Sequence, residues 1–471
     1  MAAKSRIIAA LGLSGALLSA CGTLEPAYHR PALPTPAAFP QSAPAGEGVT
    51  TTAAAPDWRD FFQDPKLRAV VELSLANNRD LRVALANIQA ARAQYHVQRA
   101  ALLPAVDASG SATYGRAQTA SPAGGGVIDY NEHQYTVGVG FSAYELDLFG
   151  RVRSLSKAAL ETYLSTEEAR RASQISIVSE VAADYLALAA DKANLKAAND
   201  TLASSRASLD ITQKRFDRGI ASQLDVSQAE TLVAQTEADV AATITTVAQD
   251  RNALDLVVGS PTPDALLPSD LDGSIPVLTD LSPGLPSDVL LRRPDVLEAE
   301  HQLKAQNAQI GAARAAFFPR IALTTSGGAT SSALSTLFKG PAGIWSFTPQ
   351  LTLPIFAGGA NLANLDYAKA EQKVAVAQYE KAIQSAFRDV ANALARRDTM
   401  AAQLSADERA VQAATDSLTL SQARYERGSD TYLNVLIAQR TLFATQQALI
   451  NARLIRSTNL VSLYAALGGG G

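Results

Sequence analysis

The chain has 471 residues, a formal charge of −4 and only 6% aromatic residues. That length allows two or three ordinary domains. The Ala-, Gln- and Ser-rich composition suits long, closely packed helices better than one large globular core. One cysteine, Cys21, excludes a disulfide framework. No basic cluster points to nucleic acid, and the four histidines (His29, His96, His133, His301) lie at no metal-ligand spacing.

Residues 1–20 read as a lipoprotein signal peptide. Lys4 and Arg6 supply the positive region, and Ile7 to Leu18 the apolar core. Leu18-Ser19-Ala20-Cys21 has the form of a bacterial lipobox, followed by Gly22 rather than an Asp that would favour inner-membrane retention. The expected modification is a diacylglycerol and an N-acyl chain on Cys21, which anchors the mature chain stably in lipid. The alternative is an ordinary signal peptide that happens to carry a cysteine. No cofactor or metal is expected beyond those acyl chains. No later stretch is apolar and uncharged over the length of a transmembrane helix, so a membrane crossing would have to use strands. Residues 21–60, rich in Pro, Ala and Thr, read as an extended lipid-anchored arm.

The remainder is a duplication, with repeats at 61–260 and 285–468. Arg151–Arg218 lacks Gly and Pro, as does Ile220–Val258, and Gly219 separates the two runs. Ala360–Arg427, Gly428 and Ser429–Leu467 repeat that plan at an offset of 209 residues. The motif Gln213-Lys214-Arg215-Phe216-Asp217-Arg218-Gly219 thus meets Gln422-Ala423-Arg424-Tyr425-Glu426-Arg427-Gly428. As helices the longer runs would measure about 100 Å. Val181, Leu188, Leu195, Leu202 and Leu209 fall seven apart, as do Val390, Leu404, Val411 and Leu418 around an interrupting Arg397. A seven-residue repeat predicts coiled-coil-like packing, with Gly219 and Gly428 as the helix-turn glycines.

Between these runs the periodicity drops to two. Strands are expected at about 105–115 and 133–147, and at about 320–330 and 344–356. Val106, Ala108, Gly110, Ala112 and Tyr114 alternate with Asp107, Ser109, Ser111 and Thr113. Tyr135, Val137, Val139, Phe141 and Ala143 form the matching apolar series in the next strand, and Trp345, Phe347, Pro349, Leu351 and Leu353 in the last. One face suits lipid and the other a water-filled lumen. Residues 115–132 and 327–343 read as long turns flanked by the aromatics Tyr114, Tyr130, Trp345 and Phe347. Four strands cannot close a membrane barrel, so closure needs several chains. A dimer would give eight strands and a trimer twelve.

With these features goes a set of specific motifs: Tyr144-Glu145-Leu146-Asp147-Leu148-Phe149-Gly150-Arg151, Leu291-Arg292-Arg293-Pro294-Asp295-Val296, Ile310 to Pro319, and Leu353-Pro354-Ile355-Phe356-Ala357-Gly358-Gly359. By these and the Cys21-Gly22 start, the chain resembles the TolC superfamily, most closely its OprM/NodT branch of lipoproteins. The resemblance covers nearly the whole mature chain. It implies a homotrimer, a twelve-stranded barrel in the outer membrane and a helical barrel through the periplasm. The implied partners are outer-membrane lipid, a periplasmic adaptor (membrane fusion) protein and an inner-membrane resistance–nodulation–division transporter, the chain itself being a passive exit duct for drugs or small solutes and no enzyme. It also implies an aperture at the helix turns, with Asp225, Tyr425, Asp430, Leu433, Ile437 and Arg440 as candidates. Asp225 and Tyr425 match a pair that ties the closed tip in some relatives. Leu436-Ile437-Ala438-Gln439-Arg440 keeps the arginine of the family motif, but Ile437 replaces its acid, and Asn434 stands where another acid occurs. The rival reading is a lipid-anchored coiled-coil structural or adhesive protein, which leaves the two amphipathic hairpins unexplained. A copper or silver exporter is a narrower rival, with Met400 the only methionine beyond the first residue.

Overall fold

A computed structural model describes residues 22–40, 57–120, 124, 127–269, 287–339 and 342–470. Cys21 and the expected signal peptide lie outside them, as does the side chain of Tyr130. Twelve main elements follow in chain order: α1 Trp58–Phe61, α2 Pro65–Asn77, α3 Arg79–Ala100, β1 Asp107–Ala120, β2 Val127–Leu146, α4 Arg151–Asp217, α5 Gln223–Val258, α6 Pro294–Ala315, β3 Arg320–Ser331, β4 Gly343–Thr352, α7 Ala360–Glu426 and α8 Tyr432–Ala466. None of the described helices is long and apolar enough to cross a membrane. The chain forms two compact units, one of residues 1–31, 87–166 and 298–379, the other of 32–86, 167–297 and 380–471.

The first unit is built on a four-stranded antiparallel sheet in the order β1-β2-β3-β4. Register settles the faces. Ala108 pairs with Val139, Val139 with Gly327 and Gly327 with Trp345, while Ser111 pairs with Thr136 and Thr136 with Thr330. At these positions apolar residues lie beside apolar or glycine neighbours and hydroxyls beside hydroxyls, whereas Thr325 interrupts the apolar face between Phe141 and Phe347. On the polar face the Thr136 and Thr330 hydroxyls lie 3.2 Å apart, and those of Ser326 and Ser346 2.8 Å. Gly140 and Gly328 sit where β2 and β3 cross closely. A Cβ at either would lie 2.0 Å from a backbone oxygen of the facing strand, so no other residue fits.

Two details depart from the sequence reading. A β-bulge between Phe141 and Tyr144 takes Ala143, at φ 53°, out of the apolar series and returns Tyr144 and Leu146 to that face. The first hairpin also runs further than expected, because β1 continues to Ala120 and β2 begins at Val127. The long turn at 115–132 shrinks accordingly. Arg116 and Gln118 both bond Asp129 across the strands, which explains why this polar stretch stays in register. In the second hairpin, β3 runs to Ser331 and a short 3-10 turn at Leu334–Thr336 precedes β4.

At the foot of the sheet Glu145 accepts two bonds from Arg151 and one contact from Arg320 at 2.7 Å. Asp147 accepts from the amides of Val152 and Arg153, capping the start of α4. The arm packs into this unit. Glu300, almost fully buried, accepts from Tyr28 and twice from Arg30, with Lys304 at 3.2 Å. Burial alone would raise the Glu300 carboxyl, but these donors hold it below the usual range.

The second unit is helical. Its main core joins Trp58, Phe61, Phe62, Leu67, Val70 and Val71 of the short helices to Val178, Val181, Tyr185, Leu188, Leu254 and Tyr464 of the long ones. Phe61 stacks on Tyr464 at 4.2 Å. The predicted heptad positions Val181, Leu188 and Leu202 are buried, as are Val390 and Leu404.

Candidate functional site

The helix turns of the second unit carry every aperture candidate. Both turns are αL caps. Gly219 has φ +73° and Gly428 +76°. The amide of Ile220 reaches the Arg215 carbonyl, and that of Ser429 the Arg424 carbonyl. These bonds close each long helix before the chain reverses, so the two glycines do stand at helix ends.

Beyond the turns the halves differ. At the first, Ser222 is the N-cap of α5 and forms a capping box with Asp225. The Asp225 carboxylate accepts from the Ser222 amide at 2.9 Å and its hydroxyl at 2.8 Å. At the second, Thr431 caps α8 without a side-chain bond. Asp430 instead accepts from the Thr431 amide and from Asn434, with Arg424 at 3.4 Å. The two hydrogen bonds hold the Asp430 carboxyl below its ordinary range.

The expected tie between Asp225 and Tyr425 is not formed within one chain. Asp225 is committed to its own cap, and the buried Tyr425 hydroxyl donates to Thr212 at 3.2 Å. The residue that does join the turns is Arg215. Its guanidinium donates to the carbonyls of Tyr425 and Glu426 and lies 4.6 Å over the Tyr425 ring. A cation at that end satisfies orphan carbonyls and opposes the helix dipole. Arg215 stood inside the repeated motif, but its partners are some 210 residues away in sequence.

Leu433, Ile437 and Arg440 project from one exposed face of α8, at the i, i+4, i+7 spacing of a helix stripe. Arg440 reaches Gln235 of α5 at 3.4 Å. Behind that stripe α4, α5, α7 and α8 meet in a small core of Ala229, Leu232, Tyr425, Tyr432, Val435 and Leu436. Burial pushes the Tyr432 phenol up to about 12, with Tyr425 and Asp225 adding to the effect. Next to this core Gln439 is buried and donates to Ser204 at 3.1 Å and Ser208 at 3.0 Å.

Among the described residues no group of His, Cys, Asp and Glu could hold a metal ion. His301 faces Glu161 at 2.7 Å, and His133 meets the Tyr114 ring edge-on.

The sequence profile of outer membrane efflux proteins matches residues 70–260 and 285–469. The chain belongs to the outer membrane efflux protein family. It is 46% identical over 472 residues to the probable efflux pump outer membrane protein TtgC of Pseudomonas putida, covering 99% of this chain and 96% of that one. To the outer membrane protein OprJ of Pseudomonas aeruginosa it is 43% identical, covering 98% and 96%. The open state of the Neisseria gonorrhoeae MtrE outer membrane channel superposes with a TM-score of 0.79 at 37% identity, covering 95% and 98%. The family match falls on the two repeats and leaves out the arm and the linker around residue 270. Membership in this family accounts for the sheet: four strands with one apolar face and unpaired outer edges are one share of a barrel closed by several chains.

Proposed function

We propose that the protein is the outer-membrane channel of a tripartite efflux pump, a passive homotrimeric exit duct for drugs or small solutes. The observation that carries this is the sheet. β1 and β4 are its edges, β4 is exposed along its whole length, and its faces divide into apolar and hydroxyl-lined. Three copies joined edge to edge give a twelve-stranded barrel with no open edge in hydrocarbon. Acyl chains on Cys21 anchor the assembly, and outer-membrane lipid surrounds it. The helix tips meet a periplasmic adaptor, and a resistance–nodulation–division transporter in the inner membrane supplies the energy.

The exposed stripe of Leu433, Ile437 and Arg440 narrows the aperture with apolar and basic groups in place of an acidic ring. Opening separates the helix pairs at the tips, favoured by an adaptor that binds the open state more tightly. Full-length protein reconstituted in planar bilayers should give stepwise conductance and run as a heat-modifiable trimer on gels. A monomer without conductance refutes the proposal. Ile437→Asp should shift the reversal potential in a salt gradient toward cation selectivity, and an unchanged potential removes position 437 from the aperture. Asp225→Ala tests the tie. A rise in conductance beyond that of Ser222→Ala means that the carboxylate acts across chains as well as in its own cap.

A further inference from the structure

Gln439 differs from the aperture candidates in being buried rather than exposed. Its side-chain amide donates to two hydroxyls of one facing helix, Ser204 and Ser208 of α4. These bonds run from the second hairpin, α7–α8, to the first, α4–α5. Two directed bonds one helical turn apart fix the axial register of α8 on α4 in a way that apolar packing alone does not. The carbonyl oxygen of the same side chain is buried without a partner. So are the Ser205 hydroxyl, beside Ser204 on α4, and the Tyr432 hydroxyl, two turns before Gln439 on α8.

A junction of this kind is directional when closed and gains water when parted, because the orphaned Gln439 carbonyl oxygen then finds a partner. The duplication shows that the device is local. Gln439 corresponds to Glu230, which is exposed, and Ser204, Ser205 and Ser208 correspond to Ala413, Ala414 and Ser417. The symmetry-related helix faces therefore lack the ladder.

Resting on the channel reading above, we infer that Gln439 is a positioning residue: through Ser204 and Ser208 it latches the α7–α8 hairpin to α4, and hydration of this junction is a step in opening the aperture. It touches no solute and acts through the exposed stripe one helix face away.

The test uses the assembled full-length protein in planar bilayers. Ser204→Ala/Ser208→Ala leaves the Gln439 amide buried with no acceptor, so open probability should rise on the order of tenfold, with unit conductance unchanged. Adding Gln439→Leu to that pair makes the seam apolar and should return open probability to the parent value or below. Ser417→Ala, the exposed counterpart of Ser208, should behave as the parent. A residue that served only folding would lower the heat stability of the trimer in both alanine and leucine variants without this reversal. A conducting parent with an unchanged double variant overturns the latch alone, as does a triple variant as open as the double. If no protein conducts, the parent included, the channel reading itself falls and the latch with it.

Discussion

The two halves of the duplication place different chemistry at the same points. Midway along the first hairpin, Asp184, Asp191 and Asp250 lie together, and the corresponding residues of the second are Ala393, Met400 and Asn459. There the Asn459 amide donates to the Ala393 carbonyl, a neutral and satisfied contact. In the first half burial raises the Asp184 carboxyl to about 6, with Glu180 adding to it. Burial raises Asp250 to about 7, with Asp191 and Asp184 adding. At the tips the contrast runs the other way. The first turn has the complete cap, Ser222 with Asp225, while the second relies on Asp430 outside its helix. One backbone plan thus carries acids in its middle, where burial raises Asp184 and Asp250, or at its end, where amide donors hold Asp225 and Asp430.

Arginine substitutions at equivalent positions should separate the halves most widely. Arg215→Ala frees two carbonyls at the end of α7 and removes the contact over Tyr425, a loss of about 2 kcal/mol. Arg424→Ala removes an exposed pair with Asp430 and should leave the melting temperature of the trimer where it was. Equal losses from the two would break the asymmetry. The next effect is on pH dependence. Both raised carboxyls hold protons more tightly folded than unfolded, so their contribution is complete below the ordinary carboxylate range and is lost as pH rises through 6 to 7. Thermal stability should fall between about pH 4 and about pH 7, and Asp250→Asn, which copies the second half, should flatten that slope. An unaltered slope in the variant would assign the dependence elsewhere. The smallest difference lies at the caps: Ser222→Ala should cost about 1 kcal/mol, and Thr431→Ala, whose hydroxyl caps nothing, clearly less. Urea titration of the two variants checks this, and equal midpoints would show that the capping box adds nothing.

Much of the architecture was legible in the chain. Freedom from Gly and Pro marked the long helices, and alternation marked the strand faces, because each face meets a single solvent over its whole length. The ends of the first hairpin were not legible. Gly115 to Ala120 has turn-like composition, and the antiparallel ladder with residues 127–132, together with the side-chain bonds to Asp129, keeps it extended. The bulge at Ala143 was hidden for a similar reason, since its amide donates to the Thr324 hydroxyl far along the chain. At the tips the residues of interest were in view but their partners were not. Ser222-Gln223-Leu224-Asp225 has the spacing of a capping box, a local role that a search for aperture residues passes over. Arg215 and Gln439 sit inside motifs whose meaning depends on helices more than two hundred residues away.

The arm packed against Glu300 has a consequence for biosynthesis. Tyr28 and Arg30 emerge from the ribosome early, yet their acceptor lies 270 or more residues later. Asn307, which holds the Pro26 carbonyl, is later still. Contacts of such high sequence separation form late in folding. The segment around Tyr28 and Arg30 therefore docks only after the second repeat has been made, and a chain truncated before Glu300 would leave it without its acceptor. Docking of the oldest residues in the chain thus waits on the youngest half.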